Sequence, residues 1–357
     1  MEMAPDGPLR PLKGDDGSLP LPAISPWIAY KLRWKRRRLL WRCLKSRHDL
    51  TLCADRTQNI QPGNVLLIAT LRNETLRLPH FMRHYRDLGV GHFLLIDNDS
   101  DDGSREFLSD QPDVSLWTTK SSYRASRFGV DWAGWLRIRY GHGHWCLTVD
   151  VDELLIYSGM DHLNLSDLSR RLDARGMAGF GALMIELFPK GPVGAAAYSP
   201  AQEPTEVLSW FDSAGYRSKR QYPMGNLWVQ GGPRDRSFFL NDPRRAPTLN
   251  KIPFVRWNRR IAYVNSTHSL LPRSLNTLYD GPGDERPHGA LLHTKFLADV
   301  VERAKVEKTR KEHFHSPDAF ANYYDQLQAN PDFWHGQATR YESVDQLAAL
   351  GLAGPEA

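Results

Sequence analysis

The sequence predicts an α/β protein built on a mostly parallel sheet flanked by helices, and three observations carry the prediction. Val65–Thr70 (VLLIAT) and His92–Asp97 (HFLLID) are short apolar runs of the kind made by strands buried on both faces. Between them, Leu78, Phe81, Tyr85 and Leu88 recur at helical spacing, Pro79 sits near the start and Gly89 at the stop. Strand, helix and strand over so short a stretch form a βαβ unit with parallel strands. The third observation is Trp145–Val149, an apolar strand that runs straight into Asp150-Val151-Asp152-Glu153.

A strand ending in Asp-x-Asp cannot keep those acids in the core, because unpaired buried charge is too costly. They must emerge at the carboxyl edge of the sheet, where open α/β sheets bind ligands. If strand geometry persists, Asp150 and Asp152 share a face. Two hard oxygen ligands with room for waters and phosphates suit Mg²⁺ or Mn²⁺. The plainer reading is an acidic loop capping the next helix.

Composition narrows the class. The chain has 357 residues, 41% of them hydrophobic, with 11 Trp, 13 Tyr and 14 Phe, enough for one large α/β domain or two small ones. No apolar run approaches the roughly 18 residues that span a bilayer, and no signal-peptide core is visible. Cys43, Cys53 and Cys146 have neither pairing nor metal spacing, as expected of a reducing compartment, with Cys146 as strand core. The expectation is a soluble cytoplasmic protein, peripheral on the inner face of a membrane if its basic segment binds one. That segment, residues 31–47, holds nine Lys and Arg and no acid, so the rest of the chain carries −4 against an overall +5.

In chain order, residues 1–26 are rich in Pro, Gly and Asp and are expected to be a disordered lead-in. Residues 31–47 follow as a candidate helix. Leu32, Leu39, Leu40, Cys43 and Leu44 make an apolar stripe opposite a basic face. Such a helix either lies on an anionic membrane surface or docks on the domain with solvated arginines. A nucleic-acid contact is disfavoured, since no recognition element accompanies the charge.

The second strand ends in Asp97-Asn98-Asp99-Ser100-Asp101-Asp102-Gly103, which lacks the Gly at position six and the acid at position twelve of a calcium loop. It is read as a turn that presents Asp97 and Asn98 at the sheet edge and caps a helix from Ser104. Val114–Thr118 is a third strand, and a helix with Trp132, Trp135, Leu136 and Tyr140 leads back to Trp145. Leu163–Arg175 is a helix, and Gly181–Phe188 a strand interrupted by Glu186, which is either an edge residue facing solvent or a group placed for chemistry. Residues 189–232 read as irregular and closing on Gly231-Gly232-Pro233-Arg234-Asp235-Arg236; loops that long are more often functional than idle. Lys251–Trp257 and Ile261–Val264 look like strands. Ser266-Thr267-His268 and Leu291-Leu292-His293-Thr294-Lys295 follow, and the chain is expected to be helical beyond Phe296. Ser316-Pro317 is a helix start, with Phe320, Tyr323, Tyr324 and Leu327 on one face.

Over about 65–300 the chain resembles a GT-A glycosyltransferase of the family 2 type, a Rossmann-like fold. The matching pieces are LLIATLRNE, FLLIDNDSDDGS, SYRASRFGVDW, LTVDVDELL and a later LLHTKF. The likeness is strongest to a bacterial family-2-like subgroup. It implies a basic lead-in over 1–60, a catalytic domain over 61–298 and a helical extension over 299–357. It also implies a nucleoside-diphosphate sugar donor, uridine-linked, and a glycan or lipid-linked acceptor, with inversion at the sugar.

Thr70 and Arg72 then stand where the family contacts the base, and Asp97 and Asn98 where an acid meets uracil and ribose. The Asn departs from the commoner Asp-Asp. Asp150 would face the ribose or metal-bound waters, and Asp152 would ligate Mn²⁺ or Mg²⁺, joined by His293 or, second, His268. Arg234, Arg236 and Lys251 are candidate clamps for phosphates or for acids on the acceptor. The family's usual Glu-Asp base motif is not evident, which leaves Glu186 and Asp235 as candidates for the catalytic base. A sugar-phosphate nucleotidyltransferase is the rival enzyme, though Leu71-Arg72-Asn73-Glu74 lacks its glycine-rich loop. A nucleotide-sugar-binding module without catalysis is the other rival.

Overall fold

The computed structural model describes residues 21–195, 197–200, 202–310 and 321–357. The expected lead-in before residue 21, the helix start at Ser316-Pro317 and Phe320 lie outside the described residues.

The first helix, α1 (Pro26–Lys45), starts on a Ser25 side chain that accepts from the Ile28 amide, with proline at its first position. There follow β1 (Thr51–Ala54), β2 (Leu66–Leu71), α2 (Leu78–Asp87), β3 (His92–Asp97), α3 (Ser104–Ser109) and β4 (Val114–Thr118). Next come α4 (Val130–Tyr140), β5 (Trp145–Thr148), β6 (Glu153–Ile156), α5 (Leu165–Ala174) and β7 (Gly179–Glu186). The middle of the chain holds α6 (Pro204–Val207), β8 (Trp210–Phe211), β9 (Arg217–Gln221), β10 (Asn226–Gln230) and α7 (Gly232–Phe238). The remainder is β11 (Asn250–Arg256), β12 (Ala262–Tyr263), β13 (Leu270–Leu271), β14 (Gly289–His293), α8 (Val300–Arg310), α9 (Ala321–Gln328), β15 (Thr339–Arg340) and α10 (Val344–Ala349).

Nine strands form one sheet in the order β1-β4-β3-β2-β5-β11-β7-β14-β6. It is mixed, which corrects the expectation of a mostly parallel sheet. β4, β3, β2 and β5 run parallel, and β14 runs parallel to β7. β1 is antiparallel to β4, β11 to both its neighbours, and β6 to β14. Helical crossovers enforce parallel pairing only in the first half of the chain.

Along β2, alternate residues feed two cores. Leu67, Ala69 and Leu71 join Phe81, Tyr85 and Leu168 on one face, and Leu66 and Ile68 join Trp132, Leu136 and Tyr263 on the other. Leu347, Leu352 and Ala353 near the C-terminus bury into the first of these cores.

Only four residues separate β5 from β6, yet four strand spacings part them along the sheet. A flat sheet would put the two about 19 Å apart, slightly more than the roughly 18 Å that five fully extended residues can span. Residues 149–152 are not stretched: the Glu153 amide bonds the Asp150 carbonyl at 3.1 Å. The sheet therefore coils back so that β6 lies near β5, with the Tyr85 hydroxyl donating to the Glu153 carbonyl at 2.8 Å beneath it.

Two further local expectations change. Residues 189–232 are not irregular throughout, since β9 and β10 form a hairpin there. Its first strand reads RSKRQ, with no apolar alternation to reveal it. β7 lies between β11 and β14 and is buried along its whole length, so Glu186 at its end is neither an edge residue nor solvent-facing. The three cysteines are unpaired, and Cys146 is core as expected.

Candidate functional site

Strand register builds the centre of the site. His293, last residue of β14, pairs with Glu186 of β7 on one side and with Glu153 of β6 on the other. Directly opposed residues project to the same face of a sheet, so two acids flank one imidazole. The turn between β5 and β6 adds Asp152, whose carbonyl accepts from the Thr294 amide at 2.7 Å. His293 Nε2 lies 3.2 Å from Asp152 Oδ2, and its Nδ1 faces Glu186 Oε1 at 3.6 Å, an ion-pair contact rather than a hydrogen bond.

Burial alone would lower the His293 pKa, but Asp152 and Glu186 outweigh it and raise it. Asp152 is loss-of-hydration ground too, yet His293 holds its carboxyl well below the ordinary value. Glu186 is buried and gripped by Arg234, and the two cations beside it keep it ionised against the cost of burial. Gly232 permits that grip: it has φ +75°, and a Cβ there would stand 3.2 Å from Glu186 Oε2.

Asp150 and Asp152 do not share a strand face, because β5 stops at Thr148 and the chain turns. Asp150 instead meets Lys251 of β11, whose Nζ donates to it at 3.0 Å and also to Glu153. The Asp150 amide closes the cluster by donating to Glu153 Oε2 at 3.2 Å. Burial pushes the Glu153 carboxyl up to about 7, with Lys251 pulling against it and Asp150 adding to it.

These groups floor a cleft of about 260 Å³ at the carboxyl edge of β2, β3 and β5. Water occupies about 30 Å³ per molecule in the liquid, so the cleft has room for a ligand well beyond one hydrated ion. Thr70, Arg72, Asn98, Asp150, Asp152, Arg234, Lys251, His268 and His293 all line it, and the fold thus gathers most of the predicted residues. Thr70 Oγ1 is buried without a hydrogen-bond partner among the described residues. Arg72 donates to the Asn98 carbonyl at 2.7 Å, while the Asn98 amide is spent on the Thr119 and Ser121 carbonyls.

Other candidates lie elsewhere. Asp97 is fully buried beneath the edge, where its carboxylate accepts from the Ser100 amide. Glu186 sits under the cleft floor rather than on it. Asp235 is held by both guanidinium nitrogens of Arg217 and lies outside the cleft lining, and Arg236 pairs with Asp212. His268 gives its Nδ1 to the Asn250 carbonyl, and burial lowers its pKa to about 4, so it is neutral. The loop 99–104 spends its polar groups on residues 73–75: Ser100 on the Asn73 amide, Asp102 on Thr75 and Ser104 on Glu74.

Four cleft residues escaped the sequence reading. Glu153 was visible in the motif, without a partner to show its role. Glu74 binds Arg303 of α8 and thereby ties the C-terminal region to the cleft wall. Lys295 follows His293 and has no carboxylate within ion-pair distance among the described residues. Nothing local in sequence marks Arg303; a cation two residues past a histidine was the available signal for Lys295.

Asp152, Glu153 and His293 offer donor atoms within 4.8 Å of one another. Two donors on one ion of the Mg²⁺ or Mn²⁺ class stand about 3–4 Å apart, so a small closing movement suffices. Glu153 is committed to Lys251, whereas Asp152 and His293 face the cleft, and Glu186 behind Nδ1 is the supporting carboxylate that metal-bound histidines usually have. The donor set fits a hard divalent cation with most positions left to other oxygens. No protein-family model matches the chain, and no curated protein matches it significantly.

Proposed function

We propose that the protein is a metal-dependent glycosyltransferase. It would move a sugar from a nucleoside-diphosphate sugar, uridine-linked, to a glycan or lipid-linked acceptor. The observation that carries the reading is the Asp152–His293 pair, 3.2 Å apart, in a cleft that also holds Lys295, which has no carboxylate within ion-pair distance among the described residues. An acid–imidazole pair suits a divalent ion, and a neighbouring lysine suits a diphosphate.

When bound, the ion would stabilise the negative charge that builds on the departing nucleoside diphosphate. The chain's own groups do the rest. Lys295 and Arg303 offer N–H donors to phosphate oxygens from the α8 side of the cleft. Thr70 and Arg72 border the end where the resemblance puts the base. Lys251 neutralises Glu153 and fixes Asp150. Glu186, fixed by Arg234, acts on His293: its charge 3.6 Å from Nδ1 would keep Nε2 turned to the cleft. It is therefore assigned as a positioning residue, and transfer to the acceptor is not routed through it or through Asp235.

A thermal-shift panel of uridine, guanosine and cytidine diphosphates and their sugars, with and without Mn²⁺, tests the reading. A nucleotide at about 100 times its Kd stabilises by about 2.7 kcal/mol, several degrees for a chain of this size. The expected result is a uridine-nucleotide shift that requires Mn²⁺. No Mn²⁺-dependent shift with any nucleotide would refute it.

A further inference from the structure

Helix α1 has two faces that carry large apolar side chains, and among the described residues only one is covered. Leu32, Leu39 and Cys43 are buried; the leucines pack with Met224, Val264 and Leu271, and Cys43 fits against Gly134 of α4. Arg42 anchors the same contact through Asp131 at 2.7 Å and the Ala125 carbonyl at 2.8 Å. Of the apolar stripe seen in the sequence, Leu32, Leu39 and Cys43 thus make the docked face, while Leu44 is exposed.

Trp27, Tyr30, Trp34 and Trp41 point the other way and are 61%, 43%, 52% and 61% exposed. At about 100° per residue they fall within one stripe roughly 60° wide, opposite Leu32, Leu39 and Cys43, and about 21 Å long. Single exposed apolar residues are ordinary, but four large aromatics in a line are not. Cations flank them: Lys31 lies over Trp27 at 5.1 Å, Arg37 over Trp34 at 5.3 Å and Lys45 over Trp41 at 5.5 Å. Arg33 and Arg38 are also exposed, α1 contains no acid, and none of these five cations has a carboxylate within ion-pair distance among the described residues.

We propose that this outward face of α1 is a docking surface for an anionic lipid bilayer. The helix would lie flat, with the rings at headgroup level and the lysines and arginines among the lipid phosphates. Tryptophan and tyrosine favour that layer because an apolar ring and a polar N–H or O–H are both accommodated there. Each cation near such a surface adds roughly fivefold to binding. The straight stripe lines its rings along one side of the helix, which matches a flat bilayer surface better than a nucleic-acid groove. No described helix is long and apolar enough to cross a membrane, so attachment would be peripheral. The proposal is independent of the reading of the cleft. It also has a geometric consequence: Asp131, which holds Arg42, also holds Arg127, and Tyr123 of the same segment lines the cleft.

The test uses the full chain and phosphatidylcholine vesicles with and without phosphatidylglycerol. Binding is expected only with the anionic lipid, weakening as salt rises, with tryptophan emission quenched by bromine-labelled acyl chains. The W27A/W34A/W41A variant should bind about tenfold or more weakly and lose that quenching, with an unchanged circular dichroism spectrum. W27F/W34F/W41F, which keeps the ring area, should bind within a few-fold of the parent. Substitution is cleaner than deleting α1, which would strip the cover from Met224, Val264 and Leu271. No binding to anionic vesicles overturns the proposal, as does full binding by the alanine variant. Binding without quenching, or preference for single-stranded RNA over vesicles, overturns it as well.

Discussion

His293 Nε2 stands 3.2 Å from Asp152 Oδ2, although 141 positions separate the two residues in the chain. The contact joins the β5–β6 turn to the end of β14, and its other partner, Glu186, comes from a third strand. Removing Asp152 leaves the imidazole with only the supporting acid. Asp152→Asn should therefore weaken Mn²⁺ binding by more than about tenfold with the fold retained, as titration calorimetry and circular dichroism would read. Unchanged affinity in a folded variant rules out Asp152 as a ligand.

The two acids first singled out as bases can be separated by the same measurement. Glu186→Gln should lower Mn²⁺ affinity by about tenfold through the orientation of His293. Asp235→Asn, which only loosens Arg217, should leave metal binding and transfer unchanged. Should Glu186→Gln slow transfer while metal and donor affinity stay at parental values, the residue is a base on the acceptor after all.

Lys251 is the cation of a buried cluster, with its side chain 4% exposed and that of Glu153 2%. Lys251→Met leaves Glu153 either to bury an unpaired charge or to take up a proton, and should cost about 3 kcal/mol in urea denaturation at pH 8. Adding Glu153→Gln removes the acid and should recover most of that loss. Additive single-variant costs would mean that the two do not act as a pair.

Lys295 should behave in the opposite way. With no carboxylate within ion-pair distance among the described residues, Lys295→Ala should leave the melting temperature within a degree or so, since substitutions away from paired or packed groups cost little. It should weaken nucleoside diphosphate binding by about tenfold, the scale of one hydrogen bond to a charged group. Equal binding by the variant would remove Lys295 from the phosphate site.

Acid sensitivity has a named contributor in His84 of α2. Its Nε2–H donates to the Leu155 carbonyl at 3.0 Å, and burial lowers its pKa from 6.5 to about 4. The unfolded chain takes up a proton below about pH 6.5 that the folded chain refuses until about 4. Stability from this group is thus complete above pH 6.5 and lost as pH falls toward 4, on the order of 1–3 kcal/mol. His84→Gln, which can still donate to the carbonyl, should lose less stability between pH 7 and 4.5 than the parent. Parallel losses in the two proteins would assign the acid limb to other groups.

How far the sequence reaches depends on the range of the forces that set each feature. Strands β2 to β5 and helices α2, α4 and α5 were legible because apolar period, proline and glycine act within a few residues. So was the emergence of Asp150 and Asp152 at a sheet edge, since burying unpaired acids is too costly. Strand β9 was not legible, because its polar residues pair through backbone bonds that leave no side-chain pattern. The same limit applies to the apolar stripe of α1: amphipathicity shows that a face is covered, not by what.

By itself, the sequence determined the α/β class, the first parallel strands and the acidic turn at their carboxyl edge. The tertiary structure alone decided that β11 and β6 run against their neighbours and that the sheet coils back on itself. It decided that Lys251 meets Asp150 and Glu153 while His293 sits between Asp152 and Glu186, and that Leu32 and Leu39 of α1 face inward and its tryptophans outward. Those outcomes rest on register and docking between segments far apart in the chain. Their energies come from contacts that exist only once the whole sheet has formed.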